Sequence, residues 1–144
     1  MTTVNTYLSF KGSCEEAFNF YKATFGGDFS FVARFKDMPK DDPNCVVDEA
    51  DDEKIMHLTL PIGNTVLMGS DSVGEWSKGF TQGNNFSVSI NTDSKEEANR
   101  LFNGLSQGGN VMMPMNTTFW GSYFGMFTDQ FGIQWMVSFE VMAK

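Results

Sequence analysis

The chain has 144 residues, a formal net charge of −8 and an apolar content of 41%, with fifteen Phe and ten Met. This length fits one domain with a substantial core, and no apolar run reaches the ~18 residues that a membrane-spanning helix needs. The acidic balance, without clusters of Lys and Arg, excludes a nucleic-acid-binding surface of the usual basic kind.

A strand and a helix open the chain. The stretch VNTYLSF, residues 4–10, alternates with period two, which predicts a half-buried strand. Its core face would carry Val4, Thr6, Leu8 and Phe10, and its other face Asn5, Tyr7 and Ser9. The following SCEEA fits a capping box in which Ser13 accepts an N–H and Glu16 reaches back. Helical spacing then continues to Gly26-Gly27 through Cys14, Ala17, Phe18, Tyr21 and Phe25.

An acidic segment interrupts the strands of the first half. Residues 37–53 read DMPKDDPNCVVDEADDE, with eight carboxylates and two prolines. This composition predicts a mobile surface loop, with a metal-binding or gating loop as the alternative. The stretches DFSFVARFK, KIMHLTLPIG and NTVLMGSD around it predict three strands. Cys14 and Cys45 lie in no C-x-x-C motif, so two free thiols are expected rather than a disulfide.

The second half repeats this pattern. The stretch NFSVSI, residues 85–90, alternates with Phe86, Val88 and Ile90 on one face. SKEEA then repeats the capping box, starting at Ser94. A second amphipathic helix follows and ends at Gly108-Gly109, with Ala98, Leu101, Phe102 and Leu105 as its apolar stripe. Three further strand-like stretches are NVMMPMNT, FWGSYFGMFTD and GIQWMVSFE.

The repeat predicts an α+β fold of two pseudo-symmetric βαβββ modules, offset by about 80 residues. Residues 1–144 would form a single domain, with module one at about 1–71, a linker at about 72–82 and module two at about 83–144. The modules would form a curved mixed sheet around a concavity, with the helices outside. A parallel doubly wound fold is not expected, because the later strands follow one another without crossover helices.

Three stretches carry a resemblance to a known superfamily. They are YLSFKGSCEEAFNFYKATFGG, IMHLTLPIGNTVLMGSD and FWGSYFGMFTDQFGIQWMVSF. The chain resembles the vicinal oxygen chelate superfamily, which includes glyoxalase I, bleomycin resistance proteins and extradiol dioxygenases, and within it the PhnB-like branch, sometimes labelled 3-demethylubiquinone methyltransferase-like. The resemblance implies paired βαβββ modules and leaves the activity open, because the superfamily hosts many chemistries. No glycine-rich nucleotide loop follows the first strand to support the methyltransferase label.

The resemblance also implies metal ligands, usually His and Glu, on the first and last strand of each module. The positions that resemble them are Asn5, Met68, Asn85 and Met136. Two amides and two thioethers are a poor ligand set for Zn²⁺, Mn²⁺ or Fe²⁺. We therefore expect no divalent metal centre and no other cofactor.

His57 is the only histidine of the chain. Alternation in KIMHLTLPIG would place Met56, Leu58, Leu60 and Ile62 against the helix, so that His57 and Thr59 point into the concavity. Three roles stay open for His57: a hydrogen-bonded side chain of the sheet, a contact to a ligand or general base, and a metal ligand. Asp129 in TDQFG is predicted to be a turn residue rather than an acid catalyst, and Cys14, on a helix, is not expected to be a nucleophile.

The same alternation predicts the lining of a ligand-binding cavity. From the strands it comprises Asn5, Tyr7, His57, Met68, Ser70, Asn85, Ser87, Ser89, Gln134 and Met136. An aromatic wall or lid would come from Trp120, Tyr123 and Phe124, with core or dimer packing as the alternative for these rings.

Three functions fit these residues. The first is a small-molecule-binding protein without the usual divalent metal, with a Met- and aromatic-lined cavity, working as a homodimer. The alternative is a lyase, isomerase or dioxygenase-type enzyme that uses His57 as base or polar anchor, with Asn5 and Asn85 orienting substrate oxygens. The third is an interaction protein whose loop 37–53 engages a basic partner. The start of the chain does not predict a signal peptide, so a cytoplasmic location is expected.

Overall fold

The computed structural model describes residues 2–39 and 48–140. Cys45 and the rest of 40–47 lie outside the described residues, so the expectation of two free thiols is met only at Cys14, which is free and buried. Contacts divide the chain into two compact units, Met1–Thr81 and Gln82–Lys144, which are called module one and module two below.

Module one contains one helix and four strands. They are β1 Thr6–Phe10, α1 Cys14–Phe25, β2 Phe31–Arg34, β3 Ile55–Ile62 and β4 Thr65–Asp71, and short 3₁₀ turns cover Phe35–Asp37, Glu49–Asp51 and Gly74–Ser77. The sheet order is β1-β4-β3-β2, with β1 parallel to β4 and the other pairs antiparallel. The predicted βαβββ order is thus confirmed for module one.

Module two repeats this topology. Its elements are β5 Val88–Asn91, α2 Lys95–Leu105, β6 Asn110–Thr117, β7 Ser122–Thr128 and β8 Gln134–Glu140. The sheet order is β5-β8-β7-β6, and β5 runs parallel to β8. Two four-stranded mixed sheets with one helix each confirm the predicted α+β fold of two βαβββ modules. No helix in the described part of the chain is long and apolar enough to cross a membrane.

Each helix packs on one face of its own sheet. A Cβ placed at Gly69 of β4 would clash with the ring of Phe18 in α1, and one at Gly125 of β7 would clash with Phe102 in α2. These glycines therefore allow close contact between helix and sheet. The largest buried side chains lie on the same faces, among them Leu58, Leu60, Phe127, Trp135 and Val137.

Alternation holds along the strands except where a strand begins late or bulges. Val4 is 94% exposed and Phe86 is 56% exposed, because β1 begins at Thr6 and β5 at Val88, so their predicted core positions are wrong. On β3, Ile55 pairs with Arg34 and His57 with Ala33, which makes Met56 the extra residue of a bulge. A bulge shifts the alternation by one residue, and Ile55 rather than Met56 is the buried side chain.

The two helices begin differently. Ser94 accepts the Glu97 N–H at 3.1 Å, as the capping box predicts, while the Glu97 carboxylate pairs with Arg100 at 2.7 and 2.8 Å. Ser13 makes no side-chain capping bond, because its backbone at ψ 13° is not in the extended conformation of a usual N-cap. The predicted capping box at Ser13 is therefore wrong.

The last part of the acidic segment, residues 48–53, contains a short turn. Glu49–Asp51 forms a 3₁₀ turn, Lys54 pairs with Asp51 at 2.6 Å and Lys36 pairs with Glu53 at 2.8 Å. The Lys36 N–H also donates to the Asp52 carbonyl. In residues 48–53 lysines thus neutralise part of the carboxylate charge, and the mobile loop over 37–53 stays a prediction.

Candidate functional site

The candidate site lies on the face of the module-one sheet that α1 leaves uncovered. One row of direct cross-strand partners runs over the four strands there, in the order Phe31, Thr59, Met68 and Tyr7. Direct partners project to the same face. The adjacent residues Leu58 and Gly69 are partners on the α1 face. The row therefore points away from α1.

His57 lies on this face and is hydrogen-bonded at both ring nitrogens. Its Nδ1 is 3.3 Å from the Tyr7 hydroxyl and its Nε2 is 3.1 Å from the Thr59 hydroxyl. A neutral imidazole donates from one nitrogen and accepts at the other, and a hydroxyl can take either role. The three groups therefore form a continuous hydrogen-bonded chain in either of two directions.

Aromatic rings flank the imidazole. The ring centroids of Tyr7 and Phe31 lie 5.6 and 5.7 Å from that of His57. Tyr7 is 45% exposed and Phe31 52% exposed, whereas His57 and Thr59 are half-buried. We call these four residues the His57 cluster. It offers exposed ring surface beside a chain of hydrogen-bonding groups.

Among the described residues of the module-one strands, none on the face of the cluster carries a fixed charge. The other strand residues on this face are apolar or hydroxylic, namely Ser9, Ala33, Pro61, Val66, Met68 and Ser70. Arg34 belongs to the opposite side, where its guanidinium binds Glu15 of α1 at 2.6 and 3.0 Å. A molecule on this face would therefore be recognised by ring contact and hydrogen bonding rather than by charge.

The uncovered face of the module-two sheet has a different chemistry. Its row of direct partners reads Met113, Met126, Met136 and Ser89 over β6, β7, β8 and β5. Gly125, next to Met126, lies against Phe102 of α2, so the row points away from α2. Three thioethers stand here where module one has an aromatic ring, a hydroxyl and one thioether.

Most of the predicted cavity residues of module one lie together. Tyr7, His57, Met68 and Ser70 share the uncovered face. Asn5 precedes β1, is exposed, and donates from its amide to the Thr3 hydroxyl at 3.4 Å. The structure therefore gives Asn5 a local partner and does not place it in the row.

In module two, four of the residues predicted to line a cavity share the uncovered face of the sheet. Phe124, Met136, Gln134 and Ser89 lie on the uncovered face by register, and Gln134 donates to the Phe86 carbonyl at 3.1 Å. Asn85 and Ser87 precede β5. Trp120, 58% exposed, lies in the turn before β7 with its ring centroid 6.2 Å from that of Phe124.

The predicted position of Tyr123 in an aromatic wall with Phe124 is wrong. Its hydroxyl donates to Asn99 Oδ1 of α2 at 2.7 Å, and the Lys95 ammonium lies 4.7 Å from its ring centroid. Tyr123 thus lies on the α2 face, one residue out of phase with Phe124, and it cannot share a wall with Phe124. Grouping FWGSYFG as one aromatic wall overlooked the alternation of β7.

Comparison with known proteins identifies the family of this chain. The family model described as 3-demethylubiquinone-9 3-methyltransferase matches residues 2–138. The chain belongs to this family. The chain is 41% identical to protein PA1353 from Pseudomonas aeruginosa, whose structure matches with a TM-score of 0.84 over 97% of this chain and 98% of that one.

Two further solved structures are similar to this chain. A putative 3-demethylubiquinone-9 3-methyltransferase, PhnB protein, from Bacillus cereus is 26% identical, with a TM-score of 0.74 over 96% of this chain and 99% of that one. A glyoxalase/bleomycin resistance protein/dioxygenase family enzyme from Burkholderia phytofirmans is 14% identical, with a TM-score of 0.59 over 95% and 99% of the two chains. The second likeness concerns the fold alone. The resemblance to the PhnB-like family is thereby confirmed, and the fold is similar to that of the glyoxalase-type neighbour.

The residues of this family member do not fit the divalent metal that the superfamily resemblance implies. Within residues 2–39 and 48–140, no three His, Cys, Asp or Glu side chains are grouped so as to hold a metal ion. The positions expected to carry ligands hold amides and thioethers, which are weak donors to a borderline cation. Both His57 nitrogens already face hydroxyl groups.

Cys14 and Asp129 have structural roles in this family member. Burial raises the pKa of the Cys14 thiol far above its usual value, and the charges of Asp71 and Glu15 raise it further. A thiol held in this protonated form is a poor nucleophile. Asp129 accepts the N–H groups of Phe131 and Ile133 and the indole N–H of Trp135. The prediction of a turn residue at Asp129 is confirmed.

Sequence reasoning missed three members of the two rows. Phe31 was predicted to lie in a strand, but its position beside His57 follows only from the register of β2 on β3. Met113 and Met126 were likewise assigned to strands without a role. Alternation alone could have assigned the faces of Phe31 and Met126 but not that of Met113, because β6 is irregular on both sides of this residue. Their alignment needs strand pairing, which the sequence does not state.

Proposed function

We propose that this family member binds an uncharged, partly aromatic small molecule at the His57 cluster, without a divalent metal centre. The observation that carries this proposal is the imidazole held between two hydroxyls and two exposed rings on an uncharged sheet face. Apolar surface with a few convergent polar groups is typical of small-molecule sites.

The charge of the protein supports an uncharged or cationic ligand over an anion. The chain carries a formal net charge of −8, which repels anions at a distance. Arg34, the arginine of the module-one strands, is engaged with Glu15 on the other side of the sheet. Ring contact with Tyr7 and Phe31 and one hydrogen bond to the cluster would supply the affinity.

Enzymatic turnover is the second candidate function, and the hydrogen-bonded chain favours it. An imidazole whose orientation is fixed by a hydroxyl on each side can accept a proton from a bound substrate at one nitrogen. To do so it must exchange one of its two hydroxyl partners for the substrate. We therefore assign ligand contact as the first role of His57 and keep the lyase, isomerase or dioxygenase alternative. The homodimer and the cytoplasmic location stay predictions.

The single histidine gives a direct test of binding. The ring signals of ¹⁵N- and ¹³C-labelled histidine report His57 alone, because the chain has no other histidine. We expect phenol and indole to shift these signals saturably, and benzoate, which has a phenyl ring and a negative charge, to shift them less. Phe31→Ala should weaken phenol binding by about 3- to 10-fold, the effect of losing one aromatic contact.

Tyr123→Phe is the matched control, since it removes a hydroxyl from a tyrosine on the α2 face. It should leave the phenol titration unchanged, whereas Tyr7→Phe should alter the starting signal of Nδ1. Absence of any saturable shift with phenol and indole would refute the binding proposal. A tighter response to benzoate than to phenol would refute the uncharged ligand class. For the second candidate, loss of turnover in His57→Gln with unchanged binding would assign catalysis to His57.

A further inference from the structure

The uncovered face of module two carries three methionines in direct cross-strand register. Met113 of β6 is the partner of Met126 on β7, and Met126 is the partner of Met136 on β8. We propose that these three thioethers form a binding site for a soft monovalent cation, Cu(I) or Ag(I). We call the three residues the methionine row.

Strand pairing places the three methionines side by side on adjacent strands. Adjacent strands lie ~4.8 Å apart, so the outer two Cα atoms of such a row are about 10 Å apart. The methionine side chain has three rotatable bonds and a polarisable sulfur. The outer side chains of Met113 and Met136 can therefore lean inward over Met126 and present three sulfurs to one ion.

The chemistry of the row selects the ion. Thioethers are soft ligands that suit Cu(I), whereas Mg²⁺, Ca²⁺ and Mn²⁺ require oxygen ligands. The fourth position of the row is Ser89, and the neighbouring residues Phe124 and Thr128 on the same face of β7 are also uncharged. The one carboxylate of the described module-two strands on this face is Glu140, which ends β8 four residues beyond Met136 and across from Ser122. The negative charge of the whole chain still attracts a monovalent cation.

The row is also open to solvent. Met113 is 44% exposed, and Met126 and Met136 are half-buried. By contrast, Met115 belongs to the other side of β6, where its sulfur lies beside Gly125 on the α2 face. Module one has a single methionine, Met68, in its row, so the site is specific to module two. This inference does not rest on the proposed function, which concerns the His57 cluster.

Ag(I) is the redox-inert probe for this site. Thiols also bind soft cations, so the experiment uses Cys45→Ser protein, in which Cys14 is buried. The protein carries ¹³C-methyl methionine and is titrated with silver nitrate in chloride-free buffer. We expect the methyl signals of Met113, Met126 and Met136 to shift together and to saturate at one ion per chain.

Conservative variants distinguish the row from general binding to methionine. Met126→Leu should lower the Ag(I) affinity at least about tenfold. Even the loss of a residue that only hydrogen-bonds to a metal ligand typically lowers metal affinity by that factor. Met136→Leu serves as an independent second variant, and Met115→Leu as the control that should leave the affinity unchanged. Equal affinity in Met126→Leu and Met136→Leu, or a uniform shift of all methionine signals, would overturn the proposal. Displacement of Ag(I) by Cu(I) under anaerobic conditions would extend it to copper.

Discussion

Module one and module two share one strand order but secure their helices by different groups. In module one, the Asp71 carboxylate at the end of β4 accepts the N–H groups of Gly12 and Cys14 at 2.9 and 3.0 Å, and that of Ile55 at 2.9 Å. In module two, the hydroxyl of Ser94 caps α2 locally. The start of α1 is thus held by a tertiary contact, whereas the start of α2 is capped by the residue that precedes it.

The second buried carboxylate, Asp129, has a different task. It holds the β7–β8 turn and the indole of Trp135, and it makes no contact with the start of α2 among its described hydrogen bonds. The uncovered faces differ as well, with the His57 cluster on that of module one and the methionine row on that of module two. The repeat therefore preserves topology, while local anchoring and surface chemistry have diverged between the modules.

The largest effect is expected at Asp71. Asp71→Ala would leave three N–H groups without their acceptor at a site where Asp71 is 4% exposed. Each unsatisfied buried donor costs ~1–3 kcal/mol, so the free energy of unfolding should fall by roughly 3 kcal/mol or more. Urea unfolding followed by tryptophan fluorescence measures this loss, and amide exchange shows where it occurs.

Asp71→Asn is the conservative companion, because it keeps one acceptor oxygen and nearly the same shape. It should cost less than Asp71→Ala, and both variants should speed amide exchange at the start of α1 and of β3. Normal exchange there in Asp71→Ala would contradict the role of Asp71 as the tertiary anchor. An equal increase in α2 would show that the anchor is not specific to module one.

The two serines at the helix starts test the same difference on a smaller scale. Ser94→Ala should lower the free energy of unfolding by about 1 kcal/mol, the usual cost of losing an N-cap hydrogen bond. Ser13→Ala should stay within about 0.5 kcal/mol of the native protein, because Ser13 makes no such bond. Urea unfolding of both variants, with amide exchange of Glu97, measures the pair. Equal costs would mean that Ser13 also caps its helix in solution.

The order of strands and helices was easier to predict from the sequence than the hydrogen bonds that hold the start of each helix. Periodicity, the repeated S-x-E-E-A motif and the glycines after each helix were enough to define two βαβββ modules. The motif was not enough to predict the cap of α1, because the competing acceptor, Asp71, is distant in sequence and reaches the helix only through the parallel pairing of β1 with β4. Local propensity was here overridden by a tertiary contact.

In the candidate site, too, the face of a side chain could be predicted from the sequence, but its contacts could not. Alternation placed His57 and Thr59 away from α1, but the partners of His57 depend on register. The bulge at Met56 and the face of Tyr123 were not predicted, because each depends on the strand register to within one residue. A shift of one residue moves a side chain to the opposite face of the sheet. Met113, Met126 and Met136 were visible in the sequence, yet their alignment follows only from the pairing of three strands.

The smallest expected effect compares one ion pair from each module. Glu15 of α1 binds Arg34 of β2, whereas Glu97 and Arg100 lie in the same helix. The hydrogen bond from Arg34 lowers the pKa of Glu15, and that from Arg100 lowers the pKa of Glu97. All four side chains are partly exposed, so Glu15→Gln should cost up to about 1 kcal/mol and Glu97→Gln about 0.3–0.5 kcal/mol at pH 7.

The sign of the pH dependence follows from these lowered pKa values. Each glutamate has a folded-state pKa below its unfolded value of 4.5, so the stabilisation is complete above pH 4.5 and is lost as the pH falls through the folded-state pKa. The difference in free energy of unfolding between native protein and Glu15→Gln should therefore be constant near pH 7 and shrink as the pH falls below 4.5. Added salt should reduce it at pH 7, because exposed pairs are screened. A difference that grows as the pH falls would contradict this assignment, and a larger effect for Glu97→Gln than for Glu15→Gln would contradict the ranking of the tertiary pair above the intrahelical one.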